Sequence, residues 1–321
     1  MRFLVLGGAG FLGMNFLEYC LPLKQHEITV LDHVKRSTAE QRAALKENLN
    51  QIQFIQGSIL DEAILAKAIP EADVIFHFAA ETSHIKSLTD PLQDCSTNIL
   101  GTIKILEMVR TLNPEAFVIY TSSSTVLGKS LNAPQDSVPA PLEIHSANKL
   151  AGEHYFSIYR QVYGIRSCIV RFPNLYGFYG NPSASSGFIN HFISQAVSHL
   201  PLFIYGTGEQ KRNLLYSQDA CQLLLTIAEN QWNFSHPVCA GSSFSYSVKE
   251  IATAIIKTFQ KGSLQYIDWP KMRHSIEIDH VEFFPNDFEY HGWKSQTSLE
   301  EGLEFIKNKI QNSSFLPSHG A

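Results

Sequence analysis

The sequence is poor in cysteine, and its cysteines make no structural pattern. Cys20, Cys95, Cys168, Cys221 and Cys239 are odd in number, widely spaced and form no CxxC pair. That excludes a disulfide framework and predicts a reducing, cytoplasmic setting. A basic surplus is also missing: 25 Lys and Arg stand against 30 Asp and Glu, for a formal charge of −5. Nucleic acid and anionic membrane are therefore not expected partners, since both select cationic surfaces. No apolar run reaches the roughly 18 residues of a membrane span. The opening MRFLVLGGAG runs straight into glycines and reads as a strand, not a cleavable leader. The 13 histidines form no HxH or HExxH cluster, so no metal site is expected. No GxSxG elbow surrounds the serines at 122–124, which argues against a nucleophilic serine.

What is present is a rhythm of strands and helices. RFLVL (2–6), ITVLD (28–32), IQFI (52–55), DVIFHFA (73–79), AFVIYTS (116–122) and RSCIVRF (166–172) are almost continuously apolar, as parallel strands covered on both faces should be. Between the fourth and fifth lies a helical stretch at 90–112, with Asp90 as N-cap and Pro91 at the first helical position. This alternation predicts an α/β fold, a Rossmann-like doubly wound parallel sheet. After RFPNLYG (171–177) the rhythm breaks into a Gly/Ser/Pro-rich loop at 178–187. A dinucleotide-binding domain is expected over 1–173, joined by part of 205–245. A smaller C-terminal substrate-binding domain is expected over 174–321, interleaved with the first because HPVCAG (236–241) reads as a strand returning to the main sheet.

VLGGAGFLG (5–13) sets Gly7, Gly10 and Gly13 between a strand and a helix. The glycines allow a tight turn, close backbone approach to a pyrophosphate and close helix–strand packing. The helix N-terminus then offers free N–H groups to phosphate. Asp32 ends the second strand about 20 residues on, where a carboxylate holds ribose hydroxyls and repels a 2′-phosphate. NAD is expected over NADP, with Lys35 and Arg36 as the neighbouring cations that argue the other way.

With FHFAA (76–80), NILGTIKILE (98–107), YTSSSTVLG (120–128), NKLAGE (148–153), RFPNLYG (171–177), YGTGEQKRN (205–213) and HGWKSQTSLEEGL (291–303), the chain resembles the extended short-chain dehydrogenase/reductase family. Within it, the resemblance is to the NAD-dependent nucleotide-sugar epimerase/dehydratase branch. The resemblance implies that NAD lies against Gly7, Gly10, Phe11, Leu12, Gly13 and Asp32. Ser58 and Ile59 would stand near adenine, Phe78, Ala79 and Ala80 near ribose and phosphates, and Asn98 near the nicotinamide. It implies a nucleotide-diphosphate sugar as partner, held by Asn174 and Arg212, with Tyr205 near its base and Arg273 near the diphosphate. Glu81 and His84 fall on the loop that faces substrate in this family, and the helices at 90–112 and 146–163 on its common homodimer surface.

In such proteins a serine, a tyrosine and a lysine four residues later do the work. Ser123 and Lys149 match, but the residue four before Lys149 is His145. Of the twelve tyrosines only Tyr290 has a lysine four residues on, Lys294, and the segment around it matches a C-terminal part of the family. Three readings stay open: His145 is the substitute base; the site binds ligands with little turnover; or Glu81 or His84 supplies the acid or base. Lys149 is also expected to bind the nicotinamide ribose. A second departure is DWPKMRHS (268–275), which keeps Arg273 but puts Asp268 where an arginine is usual and leaves Lys271 to compensate. Ser124 and Thr125 replace the Asp-Glu pair of the dehydratases, so a 4,6-dehydratase is not expected. The expected activity is a nucleotide-sugar 4-epimerase, with a 4-keto-sugar reductase or a non-catalytic binding protein as alternatives.

Overall fold

The computed structural model describes residues 1–132, 138–182, 187–278, 281 and 286–312. Six strands alternate with helices: β1 (Arg2–Leu6), α1 (Phe11–Cys20), β2 (Glu27–Asp32), α2 (Ala39–Glu47), β3 (Gln53–Gln56), α3 (Glu62–Ala68), β4 (Val74–His77), α4 (His84–Thr89), α5 (Pro91–Cys95), α6 (Gly101–Leu112), β5 (Phe117–Ser123), α7 (Ile144–Tyr163) and β6 (Ser167–Phe172). The chain then leaves this sheet as β7 (Asn174–Tyr176), α8 (Phe188–Val197), β8 (Pro201–Tyr205) and β9 (Lys211–Tyr216). It returns as α9 (Ser217–Asn230) and β10 (Val238–Cys239), then leaves again as β11 (Ser245–Ser247), α10 (Val248–Phe259), β12 (Ser263–Ile267), α11 (Lys271–Ser275) and α12 (Leu299–Asn312).

The main sheet has seven parallel strands in the order β10-β6-β5-β4-β1-β2-β3, a Rossmann-like doubly wound fold. Strand alternation divides its side chains between two cores. Phe3 and Val5 of β1 join Phe76, Phe117 and Ile119 on one face; Leu4 and Leu6 join Ile75, Val118 and Tyr120 on the other. Helices cover both faces, which is why the middle positions of most strands are apolar on both faces, with polar residues mainly toward the strand ends. β10 pairs with β6 through Val238 to Val170 and Cys239 to Arg171, so the 236–241 segment does return to the sheet. The remaining strands form two small sheets, β11-β9-β7 and β12-β8, around a third core that includes Phe192, Leu202, Ile204, Ile251 and Leu303. Residues 183–186 of the Gly/Ser/Pro-rich loop lie outside the described residues.

Two helices differ from the sequence reading in ways that shape the site. The 90–112 stretch is not one regular helix: Asp90 caps it by accepting from the Gln93 N–H at 3.2 Å, but Ser96–Leu100 is a π-turn between α5 and α6. Such turns add a residue to the helical repeat and commonly mark functional sites. α7 starts two residues earlier than expected, because the Glu143 carboxylate is its N-cap and accepts from the N–H groups of His145 and Ser146.

Candidate active site

A cleft of ≈ 780 Å³ runs along the C-terminal ends of the main strands and under the small sheets. At one end the glycine turn forms its floor. Gly7 has φ +81, and a Cβ there would come within 2.5 Å of Ala79 N; a Cβ on Gly13 would lie 2.4 Å from Gly8 Cα. Gly10 is the N-cap of α1, with no side-chain cap and no acidic residue in the first turn. The N–H groups of Phe11, Leu12 and Gly13 therefore face the cleft end without intrahelical acceptors, a phosphate cradle. Asp32 is fixed at the rim, its carboxylate accepting from Ala9 N at 3.0 Å and Val34 N at 2.7 Å. Ser58, Ile59, Phe78, Ala79 and Ala80 line the same end. Arg36 also lines it, but its guanidinium is paired with the buried Glu81.

In the middle of the cleft, Ser123 ends β5, and His145 and Lys149 sit one turn apart on α7, all on the wall. Ser123 Oγ lies 2.9 Å from Thr125 Oγ1, which accepts from Ser146 Oγ at 2.6 Å, so a chain of hydroxyls connects β5 to the start of α7. Lys149 is buried, with its Nζ 4.2 Å from the centroid of the Tyr120 ring. Burial pushes its pKa down to about 7, against the pull of Glu153 and Asp94. Tyr120 is no substitute for the missing phenol: it is fully buried on β5 and burial drives its pKa far up. The side chain of Tyr290 lies outside the described residues.

His145 is 5% exposed, and its two nitrogens have different surroundings. Nδ1 faces Asp94 Oδ2 at 3.7 Å and Asn98 Nδ2 at 3.4 Å. Nε2 has no hydrogen-bond partner among the described residues, yet is not among the solvent-inaccessible unpaired atoms, so it opens on the cleft. Burial holds the His145 pKa below the ordinary value, assisted by His84 and Lys149 and opposed by Asp94 and Glu143. His84 packs edge-to-face on it, ring centroids 5.0 Å apart, and bonds Glu143 Oε1 at 2.9 Å.

Not every expected residue stands where the resemblance implies. Asn98 does not line the cleft: it is buried behind it, bonding the main-chain N and O of Glu81 at 3.0 Å each and Asp94 Oδ1 at 2.8 Å. Glu81 lines the cleft but holds Arg36 and Lys86, the latter at 3.1 Å. Although burial works to raise its pKa, those two cations bring it below the usual range, which makes Glu81 a poor proton acceptor. At the far end Asn174, Tyr205, Arg212 and Arg273 line the wall. Arg212 is ion-paired with Glu277. The Arg273 guanidinium lies 5.6 Å from the Tyr205 ring centroid, and Tyr205 packs on Trp269 at 5.1 Å. Asp268 and Lys271 are not part of the wall. Asp94, Glu143, Trp269 and Glu277 are the site residues that sequence reading missed; their partners are remote or irregularly spaced in the chain.

Fold and cleft together define a dinucleotide-binding type of α/β protein whose second lobe lines the far end of the same cleft. Residues 3–238 match the NAD dependent epimerase/dehydratase family, and the chain belongs to it. It is 28% identical over 314 residues to a putative UDP-glucose 4-epimerase of Methanocaldococcus jannaschii, covering 97% of this chain and 98% of that one. Over 225 residues it is 32% identical to a dTDP-glucose 4,6-dehydratase of Mycolicibacterium smegmatis, covering 68% and 66%. The structure of a Thermus thermophilus UDP-glucose 4-epimerase in complex with NAD shares the fold, with a TM-score of 0.83 at 23% identity over 98% of this chain and 100% of that chain. The family is NAD-dependent, and the uncapped α1 terminus, the crowded Gly7 and the rim carboxylate of Asp32 fit that cofactor. No helix among the described residues is long and apolar enough to cross a membrane.

Proposed function

We propose that the chain is an NAD-dependent nucleotide-sugar 4-epimerase in which His145 Nε2 replaces the phenolate. The observation that carries this is the imidazole itself: beside Ser123 and Lys149, with Nδ1 turned to a buried carboxylate and Nε2 open to the cleft. Bound NAD would supply a hydride acceptor that returns the hydride to the opposite face of the sugar carbon. In this reading Ser123 Oγ orients the C4 hydroxyl, and Nε2 takes its proton and gives it back. Lys149 holds the cofactor ribose, while its charge adds to burial in keeping the imidazole neutral and ready to accept a proton. Asp32 selects NAD over NADP, supported by the pairing of Arg36 with Glu81, which draws that cation away from a 2′-phosphate. Ser124 and Thr125 in place of an acid–base pair favour epimerisation over dehydration.

Asn174, Arg212 and Arg273 would take the diphosphate portion, and the Tyr205–Trp269 pair offers an aromatic surface to the base. The exposed Ile158, Val162 and Tyr163 of α7 support a homodimer through this helix, which sedimentation of the purified protein would decide. The direct test of activity is to incubate the protein with NAD and a panel of nucleotide-hexoses, following the anomeric protons by NMR. A new epimer signal is expected, and His145→Phe should lower the rate by ~10²–10⁴-fold, the usual contribution of a general base, with NAD binding retained. Equal rates in the two proteins would remove His145 from the mechanism. Retained NAD with no conversion of any sugar would favour the binding-protein reading.

A further inference from the structure

We infer that Asp94 is the positioning residue for His145: its Oδ2 accepts the Nδ1–H and thereby fixes the tautomer whose bare Nε2 faces the cleft. This deepens, and rests on, the reading of His145 as the base. The argument is one of hydrogen-bond capacity. Asn98 Nδ2 lies 3.4 Å from His145 Nδ1, nearer than Asp94 Oδ2 at 3.7 Å, and a donor there would demand the opposite tautomer. But an amide nitrogen has two hydrogens, and both have nearer acceptors: Glu81 O at 3.0 Å and Asp94 Oδ1 at 2.8 Å. The amide cannot be turned over to change this, because its Oδ1 accepts the Glu81 N–H at 3.0 Å.

Asp94 is divided in the same way. Its Oδ1 takes Asn98 and also Asn148 Nδ2, at 2.7 Å. Its Oδ2 is buried with no hydrogen bond, 3.7 Å from His145 Nδ1. One unsatisfied acceptor therefore faces one nitrogen that has no other available partner. Closing the gap to hydrogen-bond length needs a movement of roughly 0.7 Å, and an orphaned buried carboxylate oxygen favours it. The residue works through His145 and has no place on the cleft wall itself. The charged and titratable groups that face the imidazole are Asp94 from α5, His84 from α4, and Glu143 and Lys149 from its own helix. Asp94 alone has its free oxygen at Nδ1.

The test is ¹⁵N–¹H NMR of the NAD-loaded full-length protein labelled at histidine, with the His145 signals assigned by loss in His145→Phe. Wild type above the imidazole titration should show a protonated Nδ1 and a bare Nε2; a protonated Nε2 would overturn the proposal without any variant. Asp94→Asn keeps an Oδ1 acceptor for Asn98 and Asn148 but puts a donor toward Nδ1. It should switch His145 to the Nε2–H tautomer and lower kcat by ~10²–10⁴-fold with little change in KM. The acid limb of any residual activity should move to lower pH, since the carboxylate that favoured the imidazolium is gone. An unchanged tautomer in Asp94→Asn would also overturn the proposal. Should His145→Phe prove active, the base reading fails, while the tautomer still decides separately whether Asp94 holds the imidazole.

Discussion

At the scale of single residues, an imidazole standing where the resemblance leads one to expect a phenol would change the pH at which protons silence a base, not the direction of that control. Both bases work deprotonated and fail on gaining a proton, but the ordinary pKa is about 10 for the phenol and about 6.5 for the imidazole, which therefore needs no help to be ready near neutral pH. Because burial, His84 and Lys149 hold the His145 pKa below its ordinary value, activity should persist below pH 6.5 and fall only as pH drops through the depressed value. A kcat profile against pH in the NAD-saturated protein checks this; an acid limb with its midpoint above pH 6.5 would contradict the burial argument. The His145–Lys149 pair was legible in the sequence because it is local, one helical turn long. Asp94 was not, because its contact with His145 joins two helices from distant parts of the chain and Asp94 by itself reads as an ordinary acid near a helix start.

Among the elements, α7 depends on a cap that the sequence disguises. Glutamate is not among the favoured N-cap residues, so the expected start fell at 146 when Glu143 in fact holds the first turn. Burial works to raise the Glu143 pKa, but bonds from His84 and Ser146 and the field of His145 bring it down to about 2. The stability it contributes is thus fully present above the ordinary carboxylate range and is lost as pH falls through about 4.5 toward 2. Glu143→Ala should cost about 0.5–2 kcal/mol at neutral pH by loss of the cap. Thermal unfolding of the pair should show that difference shrinking as the pH is lowered through this window. The π-turn at Ser96–Leu100 escaped the sequence for another reason: an added residue in a helix leaves no mark in composition, only in which side chains share a face. Here Asp94 and Asn98 share one.

For the molecule as a whole, the main sheet was readable because parallel strands covered on both faces leave long apolar runs, whereas the second lobe's short strands do not. Arg212 was placed by its motif, and its partner Glu277 was visible only in three dimensions. The division of the chain is where linear reading is weakest, since α9 and β10 complete the first core. Leu223, Leu224, Ile227 and Ala228 of α9 pack against the face that includes Phe3, Val5 and Phe16. A fragment of residues 1–173 lacks that cover and should fail to fold, giving no cooperative melt by circular dichroism where the full chain melts sharply; a cooperative transition in the fragment would show that α9 is dispensable.

The same path has a mechanical meaning. From the main sheet the chain goes out at β7, comes back at α9 and leaves again at β11. It returns once more near Phe288 and Trp293 of the first core and goes on into α12. Neither lobe can be drawn from the other like a bead from a string, because each is stitched through the other. Pulled by its two ends, the protein should give way in one rupture rather than two, with the lobes yielding together.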